Sequence, residues 1–67
     1  MIEFSKDDLM VETEDKALLY SQYIDVCLEH ACDTETALSM FDEMTSGEAN
    51  EHTAENVSEF FMVVFGE

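Results

Sequence analysis

Carboxylates at helical spacing are the residues of this chain that are best placed to do chemistry. One set recurs at steps of three, four and four residues and consists of Glu48, Glu51, Glu55 and Glu59. A second set repeats the step of four and consists of Asp25, Glu29 and Asp33. On an α-helix such steps bring every member of a set to one face, about 4.5–6 Å apart along the axis. Each set therefore predicts a row of negative charge on one side of a helix.

A row of this kind suits the binding of basic side chains that otherwise hold phosphate. Phosphates of one DNA strand advance about 3.4 Å in axial projection and lie further apart through space, so helical carboxylates approximate their spacing. Two rows on packed helices, with axes about 8–10 Å apart, would resemble the two edges of a groove. We assign partner binding to both rows and to two acids on the polar face of the intervening helix, Asp42 and Glu43.

The charge balance supports a charged partner. Seventeen Asp and Glu residues stand against two Lys or Arg, and the formal net charge is −15. Ordinary solvated faces intersperse both signs, and each like-charge pair at i, i+4 costs a helix about 0.2–0.5 kcal/mol. A chain this acidic repels nucleic acid and anionic membranes and attracts basic surfaces. We expect a protein with a basic surface as the partner, with no nucleic acid and no membrane.

Other kinds of site have little support in the sequence. Cys27, His30 and Cys32 form a C-x2-H-x-C pattern, which is not a standard zinc motif. The chain has no calcium-binding loop of the D-x-[DN]-x-[DN]-G type, no glycine-rich phosphate loop and no nucleophile motif. We therefore expect free thiols, no metal, no cofactor, no catalytic residue and no enzymatic activity.

The elements that would position these acids are helices. Apolar periodicity predicts a single mainly α domain over 1–67, a compact bundle of three helices over about 14–31, 34–46 and 48–61. Thr13 can cap the first helix, Asp33 or Thr34 can cap the second, and Gly47 suits its end. A short N-terminal element precedes them, because Ser5 and Asp8 have the spacing of a capping box.

The apolar faces of the first and third helices predict how they pack. Apolar residues cover more than half the circumference of the first helix, which is typical of a central helix touched on two sides. The face of the third helix opposite its glutamates is apolar and should enter the core; it includes Val57, Phe60, Phe61 and Val64.

The apolar run 60–65 departs from this periodicity. On a continued helix Met62 and Val63 would project on the acidic side, so either the helix ends near Phe61 and 62–65 is extended, or a partner covers the patch. The alternative fold is α+β, with short strands over 1–4, 9–12 and 60–65. A chain this short buries only about 60% of its unfolded surface, which leaves a homodimer open. The apolar candidates for a dimer seam or a partner anchor are Leu18, Met62, Val63 and Phe65.

In size and charge, over the whole chain rather than in any motif, the protein resembles small, very acidic DNA-mimic proteins, many of them viral or plasmid-borne inhibitors. The resemblance implies a non-enzymatic inhibitor that occludes the nucleic-acid site of a restriction, CRISPR, nucleoid, repair or polymerase protein. One alternative is a helical interaction module, such as an antitoxin or adaptor, that binds through an apolar patch. Another is a halophilic domain. The first residues have neither a basic nor an apolar signal region, so we expect a cytoplasmic protein, in the host cytoplasm if phage-encoded.

Overall fold

The N-terminal element is a short helix that begins with the expected capping box. In the computed structural model, which describes residues 3–66, helix α1 spans Lys6–Leu9. Ser5 Oγ accepts a hydrogen bond from the Asp8 amide at 3.1 Å, and Asp8 Oδ2 accepts one from the Ser5 amide at 3.2 Å. The helix ends at Met10, whose φ of 55° lies in the left-handed region.

Three longer helices follow, each begun by a polar side chain that accepts a hydrogen bond from its first turn. They are α2 (Glu14–His30), α3 (Thr34–Thr45) and α4 (Glu51–Phe65). Thr13 caps α2, Asp33 caps α3 and Asn50 caps α4. These side chains satisfy amides that have no partner within the helix. The mainly α fold and the caps at Thr13 and Asp33 are thus confirmed.

The boundaries of α4 differ from the prediction at both ends. The helix starts at Glu51 rather than at residue 48, because Asn50 supplies the cap after a turn in which Ser46 and Gly47 have positive φ. It continues to Phe65 rather than ending near Phe61, and its left-handed C-cap is Gly66. Of the two alternatives for 62–65, the extended conformation is therefore wrong.

The α+β alternative is also wrong where it can be compared with the structure. Residues 3–66 contain no strand. The range 9–12 holds the end of α1 and the turn after it, and 60–65 is helical. Of the predicted strand 1–4, residues 1 and 2 lie outside the described range, and residues 3 and 4 are irregular.

The core lies between the packed faces of α2, α3 and α4. Helix α3 packs against both α2 and α4, and α1 packs against α4 and α2. The buried apolar side chains come from all four helices and from the start of the α2–α3 connection; they are Leu9, Ala17, Tyr20, Ile24, Cys27, Ala31, Ala37, Phe41, Val57 and Phe61. Before α1, the Phe4 ring meets Phe60 edge-on at 5.2 Å, and the Phe4 amide donates to Ser21 Oγ at 2.8 Å. The segment before α1 therefore contacts both α2 and α4.

Side chains of α4 and its cap satisfy the last carbonyls of α1. The side-chain amide of Asn56 donates to the carbonyl of Asp8 at 2.7 Å. The buried hydroxyl of Thr53 donates to the carbonyl of Leu9. The side-chain amide of Asn50 donates to the carbonyl of Met10. Since the last carbonyls of a helix lack partners within it, these three side chains fasten a one-turn helix to the rest of the fold.

Candidate protein-binding surface

The glutamate row is retained in the structure as three exposed residues on α4. Glu51, Glu55 and Glu59 are all exposed and stand at steps of four, which corresponds to a rise of about 6 Å from one to the next. Glu48 is exposed too, but it precedes the Asn50 cap and lies in the α3–α4 turn. Its predicted place in the helical row is wrong, because the cap at Asn50 sets the start of α4 after it.

The second row is shorter than predicted. Asp25 is half-buried and Glu29 is exposed on α2, which ends at His30 because Ala31 takes an extended conformation. Asp33 therefore lies beyond the end of α2 and caps α3, where its Oδ1 accepts a hydrogen bond from the Thr36 amide at 2.7 Å. That bond to the backbone holds the pKa of the Asp33 carboxyl below its ordinary value. Asp33 serves as a cap and does not extend the α2 row.

The helix that packs against both helices of the predicted rows is α3, which contacts α2 and α4. The predicted groove would have the rows of α2 and α4 as its edges. The helices that pack most extensively against α4 are α3 and α1. On α3 the predicted partner-binding residues Asp42 and Glu43 are exposed, and so is Glu35, which the prediction left out. Helices packed in this way have axes about 8–10 Å apart, and α3 and α4 each carry exposed carboxylates.

The last turn of α4 carries apolar side chains that no part of residues 3–66 covers fully. Met62 is 46% exposed, Val63 82% and Val64 48%. Met62 and Val63 follow Glu59 by three and four residues, so they lie on the same face as the glutamate row. Phe65 differs from them, because it is half-buried and its ring packs 6.1 Å from that of Phe61. We name this exposed face, from Glu51 to Val63, the α4 face.

Some apolar residues assigned to the core by periodicity prove to be exposed. Val64 follows Phe61, the last fully buried residue of α4, by three positions, and about half of its surface is open to solvent. On α2, Leu19 and Val26 are exposed together with Leu18, because α3 and α1 leave these positions uncovered. Both α3 and α1 pack against α2, as expected for a helix touched on two sides, but these three side chains lie outside both contacts.

The two cysteines are free and differ in their surroundings. Cys27 is buried in the core, and Cys32 is exposed in the α2–α3 connection. Burial raises the pKa of the Cys27 thiol to about 11. Within residues 3–66, no three His, Cys, Asp or Glu side chains converge as metal ligands, and no pocket is found. No helix in this part of the chain is long and apolar enough to cross a bilayer.

Comparisons with known proteins give no match. The chain matches no protein-family profile, no curated protein sequence and no solved structure.

Proposed function

We propose that the protein is a non-enzymatic inhibitor that mimics nucleic acid and occludes the basic nucleic-acid-binding site of another protein. The observation that carries this proposal is the row of Glu51, Glu55 and Glu59 along the exposed side of α4. With two cationic side chains against seventeen acidic ones, the chain itself can neutralise few of its carboxylates. A cationic partner supplies the missing charge.

Inhibition follows from competition for the same basic side chains. Lys and Arg residues that normally contact phosphates pair with carboxylates of α4 and α3, and Arg can do so with two parallel hydrogen bonds. The helix holds the backbone of the row in place before binding, which reduces the ordering cost of the complex. Complementary charge also speeds the encounter, most strongly at low salt. The protein acts in the cytoplasm, where such targets work, and in the host cytoplasm if it is phage-encoded.

The test is displacement of DNA from defined basic proteins. A fluorescent duplex is bound in turn to a restriction endonuclease, a CRISPR effector nuclease, a nucleoid protein, a repair glycosylase and an RNA polymerase. The acidic protein is then titrated in at several salt concentrations. We expect release of the duplex from at least one of them, with an apparent affinity that falls steeply as salt rises. Release from none of the five would contradict the proposal.

A charge-matched pair of variants separates the row from bulk charge. The variant Glu51→Gln, Glu55→Gln, Glu59→Gln and the control Glu3→Gln, Glu12→Gln, Glu14→Gln each lose three negative charges from exposed positions. We expect the first to lose displacement and the control to retain it. Equal loss in both would mean that net charge alone is responsible.

The second candidate function is a helical interaction module, such as an antitoxin or adaptor. The exposed apolar side chains at the end of α4 favour it. In that case the apolar surface recognises the partner and the charge tunes solubility. Binding would then change little with salt, and Met62→Lys would abolish it, whereas the glutamine variant would bind normally.

A further inference from the structure

The stability of the fold does not explain why the side chains at the end of the α4 face are apolar. Phe61 is fully buried and closes the core at this end of the helix, while Met62 and Val63 are exposed. Valine has a lower helix propensity than alanine or glutamate. The fold therefore gains little from apolar side chains at these two positions.

An occupant of this patch must also cover the carboxylates beside it. A standard protein interface buries about 800 Å² on each partner. Met62, Val63 and Val64, two of them already half-covered, expose far too little area for that. Along the α4 face the adjoining surface belongs to Glu59 and then Glu55, one and two turns back. Whatever binds the patch extends over negative charge.

This charge favours a basic protein over a second copy of the chain. A two-fold contact centred on Met62 and Val63 would place the two Glu59 residues about 10 Å apart along the helix axis. That separation is close to the Debye length at physiological salt, about 8 Å, so the repulsion is only partly screened. Each copy also has a net charge of −15. A partner with Lys or Arg beside an apolar pocket meets no such penalty.

We infer that Met62 and Val63 are the apolar anchor for the inhibited protein, and that its basic groove ends in an apolar pocket. The inference rests on the proposed function, because it takes the partner to be a basic nucleic-acid-binding protein. It assigns different tasks to the two parts of the α4 face. The glutamates set the salt dependence of binding, and the anchor adds affinity that salt does not screen.

The experiment uses the same DNA displacement assay with the double variant Met62→Ala, Val63→Ala. We expect its affinity to fall about tenfold at every salt concentration, since apolar area is lost from the interface. The slope of affinity against salt should stay at the wild-type value. The matched control is Leu19→Ala, Val26→Ala, which trims two exposed apolar side chains of α2 and should leave displacement unchanged. Circular dichroism melts verify that both variants fold.

Three other outcomes would overturn the inference, and they are distinguishable. If the Met62, Val63 variant displaces DNA as well as the wild-type protein does, these residues are not the anchor, but the proposed inhibitory function is unaffected. No displacement by the wild-type protein would end both proposals. Sedimentation equilibrium that shows a wild-type dimer, dissociated by the same double variant, would assign the patch to a second copy.

Discussion

The side-chain amide of Asn50 donates a hydrogen bond to the carbonyl of Met10 at 2.8 Å, across 40 residues of sequence. The oxygen of the same side chain accepts a hydrogen bond from the Thr53 amide at 2.8 Å and so caps α4. One residue therefore starts the helix that carries the glutamate row and holds the end of α1 against it.

Replacing Asn50 by alanine should lower the free energy of unfolding by about 2 kcal/mol, since a cap and a hydrogen bond are lost together. Urea denaturation measures the change. Asn56→Ala is the control, because Asn56 donates one bond to the Asp8 carbonyl and caps no helix. A cost for Asn50→Ala no larger than that for Asn56→Ala would contradict the double role.

Tyr20→Phe should raise the free energy of unfolding by about 1–2 kcal/mol, because removing an unsatisfied buried hydroxyl removes its desolvation cost. Tyr20 is 3% exposed, and its hydroxyl has no hydrogen-bond partner among residues 3–66. The ring keeps its edge contact with Phe41 at 5.5 Å. Urea denaturation again measures the change. Tyr23→Phe, at a half-buried position, serves as the control and should change little. Destabilisation by Tyr20→Phe would show that the hydroxyl is satisfied.

Asp33 should make the stability of the α3 cap depend on pH. The bond from the Thr36 amide lowers the pKa of Asp33 in the folded state. A lowered pKa contributes stability that is present above the unfolded value of about 3.9 and is lost as pH falls through the folded value. Asparagine also caps helices but does not titrate. The urea midpoint of the wild type, measured relative to that of Asp33→Asn, should therefore decrease as pH falls from about 7 to about 3.

That difference isolates Asp33, because every other carboxylate titrates in both proteins. A difference that stays constant over this pH range would show that the Asp33 carboxylate gains nothing from its bond to Thr36.

Glu55→Gln should stabilise the fold by about 0.4–1 kcal/mol at low salt, because one substitution removes two like-charge pairs. Glu55 stands four residues from both Glu51 and Glu59. In salt of about 1 M, where the Debye length is about 3 Å, the gain should shrink. Glu51→Gln removes one pair and also a favourable charge in the first turn, so it should give no comparable gain. A salt-independent effect of Glu55→Gln in thermal or urea melts would point to a cause other than repulsion.

The two thiols should differ in reactivity. Exposed Cys32 should react with Ellman's reagent in the native protein, and buried Cys27 should react when the protein opens. Because burial raises the pKa of Cys27 to about 11, the unfolded chain ionises first, from about 8.5 upward. Stability should therefore decline between these two values as pH rises. Mass spectrometry locates the label, and equal labelling rates at neutral pH would contradict the burial of Cys27.

Local patterns in the sequence account for the helices and most of their caps. The capping box at Ser5 and Asp8 and the caps at Thr13 and Asp33 involve residues three positions apart, so spacing alone predicts them. The start of α4 was less accessible to this reasoning. Asn50 caps α4 by a local bond from the Thr53 amide, but its second bond, to the Met10 carbonyl 40 residues away, lies outside any local pattern.

For the candidate surface, too, the sequence predicts some features and misses others. Spacing alone predicted that Glu51, Glu55 and Glu59 share a helical face. It also placed Met62 and Val63 on that face, because position around a helix follows from residue number. Asp33 and Glu48 lie outside their predicted rows because helix ends depend on which cap prevails.

The charge, the helical class and the angular position of each residue on its helix follow from the sequence alone, since they depend on composition and on neighbours up to four residues away. Which apolar residues stay exposed, as at Leu19, Val26 and Val64, depends on how the helices pack. The packing of α4 against α1 likewise lets side chains at and after the start of α4 satisfy the last carbonyls of α1. The reason is that burial depends on what packs against a face, and contacts between distant segments are not encoded in the period of either one.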